Sequence, residues 1–189
     1  MVYSPQYPIE TERLRLRPFS RGDVDAVFSY RQRADVARYL FDGPMSYESV
    51  TEVVQHRIGQ HKLADEGDKV FLAVELIASQ QVVGEVSLVL RDAPSRQAEI
   101  GYIFHPEFHG RGYATEAAGV LLQMGYEGAG VHRIYARCAT ANTASWRVME
   151  RLGMRREAHF REHAFVKGAW DEEFVYALLE DEWRAGTGR

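Results

Sequence analysis

Apolar residues alternate with arginines in "ERLRLRPF", so that Leu14 and Leu16 share one face. A period of two predicts a half-buried strand. The period then changes. Ser20 stands three residues before Asp23, as in a capping box, and Val24, Val27 and Phe28 follow at helical spacing. "DVARYL" predicts a second short helical piece ending near Gly43 and Pro44. Val50, Val53, Val54 and Ile58 form one stripe and predict a longer helix over residues 46–64. Strands follow: "KVFLAVELI" and "QVVGEVSLVL", parted by the polar "ASQ" of a hairpin, then "RQAEIGYIF". Ala114, Ala117, Ala118, Leu121, Leu122 and Gly125 recur at helical spacing. "HRIYARCA" reads as a strand, residues 143–152 as a short helix with Gly153 at its C-cap, and "REHAFVKGAWDEEFVYALL" as two strands about Lys167 and Gly168. This order predicts an α+β fold: a mixed, mostly antiparallel central sheet of about six to seven strands, flanked by helices. No repeat or low-complexity linker divides residues 1–189, so one domain is expected.

Composition narrows the function classes. The 189 residues are 46% hydrophobic and carry a net charge of −4. That suits one ordinary domain and argues against a nucleic-acid-binding surface, which is normally basic. Cys138 is the single cysteine, which removes internal disulfides and cysteine-based zinc sites. The seven histidines show no paired ligand spacing, so no metal is expected. The N-terminal stretch has no signal-like apolar region, and the longest apolar runs are too short for a membrane span. A soluble, cytoplasmic protein is the resulting expectation.

Chemistry concentrates in "PEFHGRGYATEA", where Gly110 and Gly112 bracket Arg111 directly ahead of a helix. The stretch is either a sharp structural turn or a seat for phosphates, because helix N-termini present unpaired N–H groups to anions. It is neither a Walker loop nor G-x-G-x-x-G, since Thr115 fills the last glycine position of the latter. On the strand before it, Glu99, Gly101 and Ile103 alternate with Ala98, Ile100, Tyr102 and Phe104. Glu99 either faces solvent or is a carboxylate beside a ligand groove opened by Gly101. Asn142 is a good N-cap for the helix that carries Ser145 on its apolar stripe. Ser145 either bonds back to the backbone or offers a hydroxyl to a site.

Together, "EIGYIFHPEFHGRGYATEA" and "NTASWRVMERLGM" resemble the GNAT superfamily of acetyl-CoA-dependent N-acetyltransferases. "TERLRLRPF" and "WDEEFVYALLEDEW" resemble its RimJ/RimL-like branch, related to the ribosomal-protein alanine acetyltransferases. The likeness runs over residues 9–183. It implies the GNAT acyl-CoA N-acyltransferase fold, acetyl-CoA as co-substrate and an amine as acceptor. It further implies that Ile103 and Phe104 line the pantetheine arm, with Asn142 on its other side. His109, Gly110, Arg111, Gly112, Tyr113, Ala114 and Thr115 would form the diphosphate turn, with Arg151 nearby. His109 departs from the Gln or Arg usual at that position. Met149 occupies the place of the tyrosine acid of many relatives, so Ser145 would serve instead. The closing W-x-D-x-x-x-Y pattern reads Trp170, Glu172 and Tyr176, with Glu for Asp.

The mechanism this implies is direct attack in a ternary complex. An alkyl ammonium titrates near ~10 and an α-ammonium near ~8, so the nucleophile must lose a proton. Glu99, directly or through a water, is the expected base, the N–H near Phe104 the polarising donor and Ser145 the acid. Cys138 either lies near the thiol or merely fills strand packing. Expected acceptors are a protein or peptide N-terminus or a small amine. Polyamines and antibiotics are the small-molecule alternative, and a non-catalytic acyl-CoA sensor is a further one. Residues 38–44, with Tyr39 and Phe41, and residues 166–170 are expected to wall the acceptor. Paired sheet edges in this superfamily leave room for a homodimer.

Overall fold

The computed structural model describes residues 3–40 and 42–187. Eight strands form one sheet: β1 (Ile9–Glu10), β2 (Leu14–Pro18), β3 (Lys69–Leu76), β4 (Val82–Asp92), β5 (Gln97–Phe104), β6 (Arg133–Ala139), β7 (Arg155–Val166) and β8 (Ala169–Leu179). Their spatial order is β1-β2-β3-β4-β5-β6-β8-β7. Every neighbouring pair is antiparallel except β5 and β6. The fold class follows the sequence reading. The strand beyond the expected six to seven is the two-residue β1, too short to leave an alternation.

Helices cover both faces. α1 (Val24–Arg31), α2 (Ala34–Ala37) and α3 (Tyr47–Arg57) precede β3; α4 (Tyr113–Gln123) and α5 (Thr143–Arg151) flank β6; α6 (Glu180–Thr187) ends the described chain. Strand alternation divides the core. Val27, Tyr30, Val50 and Val54 of α1 and α3 pack with Ala73. On the opposite face Leu72, Val74, Leu88 and Ile100 pack with Ala117, Leu121 and Met149. Burying such side chains contributes roughly 1.5–3 kcal/mol each, the main favourable term in holding the layers together.

One helix is shorter than its stripe. The pattern from Val50 to Ile58 predicts helix to residue 64, yet α3 ends at Arg57. Beyond it the backbone bonds elsewhere: Phe71 N–H donates to Gln60 O, and Tyr3 and Leu63 exchange two hydrogen bonds. These sheet-like bonds outcompete continuation of a polar helix end. Ser20 behaves as read. Its N–H donates to Asp23 Oδ2 at 2.7 Å, opening the turn that leads into α1.

Candidate active site

The site begins where two strands part. β4 pairs with β5 along its length, from Gln97 to Phe104. β6 pairs with β5 only from Gln97 to Glu99, against Arg133 to Tyr135, although both strands continue. Residues 101–104 and 136–139 therefore face each other across an open wedge, where strand-edge N–H and C=O groups are available to a ligand. Gly84 permits part of this. A Cβ there would lie 2.6 Å from Ile103 O and 2.7 Å from the Phe104 ring.

The glycine turn lies just beyond β5. Gly110 and Gly112 have φ of +75° and +82°, and Gly112 is the N-cap of α4. Left-handed glycines pointing bare N–H groups at one spot, at a helix N-terminus, make an anion-binding concavity. Its support comes from the other end of the chain. Arg13 bridges Glu116 at 2.6 Å and donates Nη1 to Arg111 O at 2.9 Å, while Thr11 Oγ1 donates to Glu116 Oε1 at 2.6 Å. The Arg13 guanidinium also covers the Tyr113 ring at 4.8 Å. Burial alone would raise the Glu116 carboxyl; the Thr11 and Arg13 hydrogen bonds outweigh it and hold the group below its ordinary value. His109 does not project freely. Its Nε2 lies 3.0 Å from Phe104 O, and because a carbonyl only accepts, Nε2 carries the proton. The imidazole thus ties the end of β5 to the turn. Arg111 lies over the Phe108 ring at 5.4 Å, and Arg151 Nε donates to Thr115 Oγ1 at 3.3 Å.

A cavity of about 330 Å³ opens beside the wedge. Ile100, Gly101, Tyr102 and Ile103 form its β5 wall; Cys138, Asn142, Ser145 and Met149 form another. Asn142 is the N-cap of α5 and accepts from Ser145 N–H at 3.2 Å, as read from the sequence. Ser145 has a second partner, on the β5 face that alternation gives to Ala98, Ile100, Tyr102 and Phe104. Tyr102 Oη donates to Ser145 O at 2.8 Å and lies 3.1 Å from Ser145 Oγ. Burial, moderated by the Ser145 contact, pushes the Tyr102 phenol up, so it is a neutral hydroxyl at ordinary pH. Burial likewise pushes the Cys138 thiol up to about 11, which makes it inert at neutral pH.

Charge lies at the cavity's floor. Glu85, on β4, accepts from Arg31 of α1, from Arg57 Nη1 of α3 at 2.6 Å and from Tyr30 Oη at 3.1 Å. Burial by itself would raise the Glu85 carboxyl, but Arg57 and Arg31 overcome this and hold it down at about 2. Glu99 is absent from the lining. Its oxygens accept from Arg91 Nε at 2.7 Å and Arg137 Nε at 3.0 Å, and Arg137 stands between it and the cavity wall. Glu173 lies 3.6 Å from the same arginine.

The two expected acceptor walls meet. Lys167 Nζ, at the β7–β8 turn, donates to Ala37 O and Leu40 O at 2.6 Å each and to Asp42 O at 3.0 Å. Tyr39, Leu40 and Asp42 line the cavity, and Tyr39 Oη donates to Ala141 O at 3.2 Å. Phe41 lies outside the described residues. The closing aromatic pattern does not line the cavity. Trp170 is exposed against Phe165, Glu172 pairs with His159, and Tyr176 Oη donates to Glu150 on the far side of α5. Among the described residues, no group of three His, Cys, Asp or Glu side chains is arranged to hold a metal ion, and no helix is long and apolar enough to cross a membrane.

Sequence reasoning missed Tyr102, Arg31, Arg57 and Glu85. One signal was available: Glu85 is a lone carboxylate in the apolar run "VVGEVSLVL", the same irregularity that singled out Glu99.

A sheet parted at β5 and β6, ending in a glycine turn at a helix N-terminus, can hold an extended ligand along the open edge and an anion at the turn. Residues 13–155 match the family described as Acetyltransferase (GNAT) domain, and the chain belongs to that family. It is an acetyl-CoA-dependent N-acetyltransferase. The uncharacterized N-acetyltransferase YnaD of Bacillus subtilis is 33% identical over 175 residues, 93% of this chain and 98% of YnaD. A solved GNAT acetyltransferase of Bacillus anthracis superposes with a TM-score of 0.84 at 34% identity, over 93% of this chain and 100% of that one. The spermidine N(1)-acetyltransferase of Vibrio cholerae is 26% identical over 171 residues, 90% of this chain and 95% of its own.

Proposed function

We propose that the enzyme acetylates a small primary amine, which enters the 330 Å³ cavity and attacks acetyl-CoA directly in a ternary complex. The observation that carries this reading is the cavity itself. Ser145 and the β5 edge line it together with Arg31, Arg57 and Glu85, and its volume leaves room for a small acceptor. The thioester would lie along the edge at Ile103 and Phe104, with Asn142 opposite and the diphosphate on the turn from His109 to Thr115, near Arg151. The amine nitrogen forms a bond to the acetyl carbon as the carbon–sulfur bond breaks. Phe104 N–H stabilises the developing oxyanion. The leaving thiolate takes a proton from Ser145, whose hydroxyl is held by Tyr102 at 3.1 Å and is reprotonated from solvent as Glu99 releases the proton it collects. The ammonium proton passes to Glu99 through water, since Arg137 separates that carboxylate from the cavity.

The RimJ/RimL-like branch belongs to this reading, supported by the "TERLRLRPF" and "WDEEFVYALLEDEW" stretches. An acceptor of the size of a polyamine is supported by the Vibrio cholerae relative, named for spermidine. The test is thiol release from acetyl-CoA across N-terminal peptides, amino acids, polyamines and aminoglycosides. A small amine turned over with kcat/KM at least tenfold above the peptides is the expected result; turnover confined to peptides overturns it. On the preferred amine, Ser145→Ala should lower kcat, and Glu99→Gln should reshape the pH–rate profile. Wild-type behaviour removes the corresponding role.

A further inference from the structure

Two guanidiniums share one carboxylate at the cavity floor. The side chains of Arg31, Arg57 and Glu85 are 8%, 11% and 4% exposed. Buried charges are normally paired, and within ion-pairing distance these two guanidiniums have a single carboxylate; Asp42, exposed, acts on Arg31 only from farther off. Tyr30 is neutral, because burial holds its phenol well above the ordinary value. Arg31 Nε has no hydrogen-bond partner. Arg57 gives Nη1 to Glu85, lays its plane over Phe71 at 4.3 Å and makes no other hydrogen bond among the described residues. The third arginine on the lining, Arg137, is matched by Glu99 and Glu173. Asp42, exposed at the mouth, is the remaining carboxylate on the lining.

A polycation would need carboxylates free of arginine, and the floor offers none. From this floor we infer that the acceptor amine carries a carboxylate on the same small molecule, as an amino acid does, and that Arg57 and Arg31 bind it. The inference rests on the small-amine reading above and adds the charge of the acceptor. The geometry suits it: Arg31, Arg57 and Glu85 line the same cavity as Ile103 and Ser145, and Glu85 stands opposite Ile103 in the β4–β5 register, so an acceptor held by its carboxylate lies beside the β5 edge.

The experiment compares matched pairs in thiol release with acetyl-CoA: L-leucine against L-leucinamide, L-phenylalanine against L-phenylalaninamide, and spermidine. An amino acid amide has the less basic amine and is intrinsically the readier nucleophile, so preference for the acid reports binding. The expected result is a kcat/KM at least tenfold higher for the carboxylate member of a pair, with spermidine below both. Arg57→Gln should bring that ratio to within about twofold. A second readout does not need turnover. With CoA present in place of acetyl-CoA, the carboxylate members should raise the Tm of wild-type enzyme, their amides should not, and Arg57→Gln should abolish the rise. Amides equal to or better than acids, or spermidine as the best acceptor, overturn the inference while leaving acetyl transfer standing. A carboxylate-specific Tm rise without release from any amine sustains the inference and overturns the small-amine reading. If Arg57→Gln does not fold, the wild-type pairs alone decide.

Discussion

Acidification should unlock the cavity floor. Glu85 titrates at about 2 in place, against 4.5 when unperturbed. Its native pKa is depressed, so the stability it contributes is fully present above the unfolded value. That stability is lost as pH falls from about 5 toward 2. At 1.36 kcal/mol per unit, the difference is on the order of 3 kcal/mol. The source is local: Arg31, Arg57 Nη1 at 2.6 Å and Tyr30 Oη at 3.1 Å, all within a nearly dry site. Against a total stability of roughly 5–15 kcal/mol, a loss of this size is easily measured. Urea unfolding of the wild type at pH 7, 5, 4 and 3 should show it. Glu85→Gln should already be weaker at pH 7, by roughly 3–5 kcal/mol, because it leaves two buried guanidiniums without their anion. Its stability should then fall less steeply than wild type below pH 5. If the two proteins lose stability in parallel between pH 5 and 3, the arginines are not holding an ionised Glu85, and the charge count at the floor is wrong.

The other expectations are kinetic. Gly112→Ala places a side chain at φ +82° with its Cβ 3.3 Å from Arg13 Nη2, a strain of roughly 1–2 kcal/mol in the left-handed region. It should raise KM for acetyl-CoA about tenfold or more, and titration with CoA would show the loss; unchanged affinity would mean the turn does not bind the diphosphate. Tyr102→Phe removes the hydroxyl 3.1 Å from Ser145 Oγ. Steady-state thiol release should fall roughly 10–100-fold in kcat with KM for acetyl-CoA little changed, and wild-type kcat would remove Tyr102 from the proton path. Lys167→Met deletes three hydrogen bonds between the β7–β8 turn and residues 37–42. KM for the acceptor should rise several-fold while KM for acetyl-CoA stays put; equal changes in both would argue for a general loss of structure.

What the sequence made legible was local. Alternation located the longer strands, and the 3.6-residue stripe located α1, α4 and α5, because each records which face its own element buries. Cap chemistry was equally direct at Asn142 and at Gly153, whose φ is +81°. The floor was not legible, because its members are far apart in the chain: 54 residues separate Arg31 from Glu85 and 28 separate Arg57 from Glu85. Periodicity marks a carboxylate in an apolar strand as unusual but cannot say which one meets the cavity. It drew attention to Glu99, which two arginines occupy, and passed over Glu85. Tyr102 shows the same limit from the other side. Its alternation with Ala98 and Ile100 is that of a core residue, and only the packing of α5 against β5 gives its hydroxyl a partner in Ser145.

The same distinction bears on how far resemblance reaches. The glycine turn and the parted strands are backbone features, and a backbone that seats a CoA ester can do so whatever the acceptor is. Acceptor charge is set elsewhere, by side chains on α1 and α3 and by the segment that Lys167 holds against them. A relative that acts on spermidine can therefore share the sheet and differ in substrate. In this chain the buried carboxylate on the lining already has arginine partners, whereas Arg31 and Arg57 have only that one carboxylate within ion-pairing distance, with Asp42 exposed and farther off. A cationic acceptor would have to displace those arginines at the cost of burying them unpaired, several kcal/mol each. An acceptor bringing its own carboxylate would instead complete the pairing, and on that asymmetry the substrate should divide.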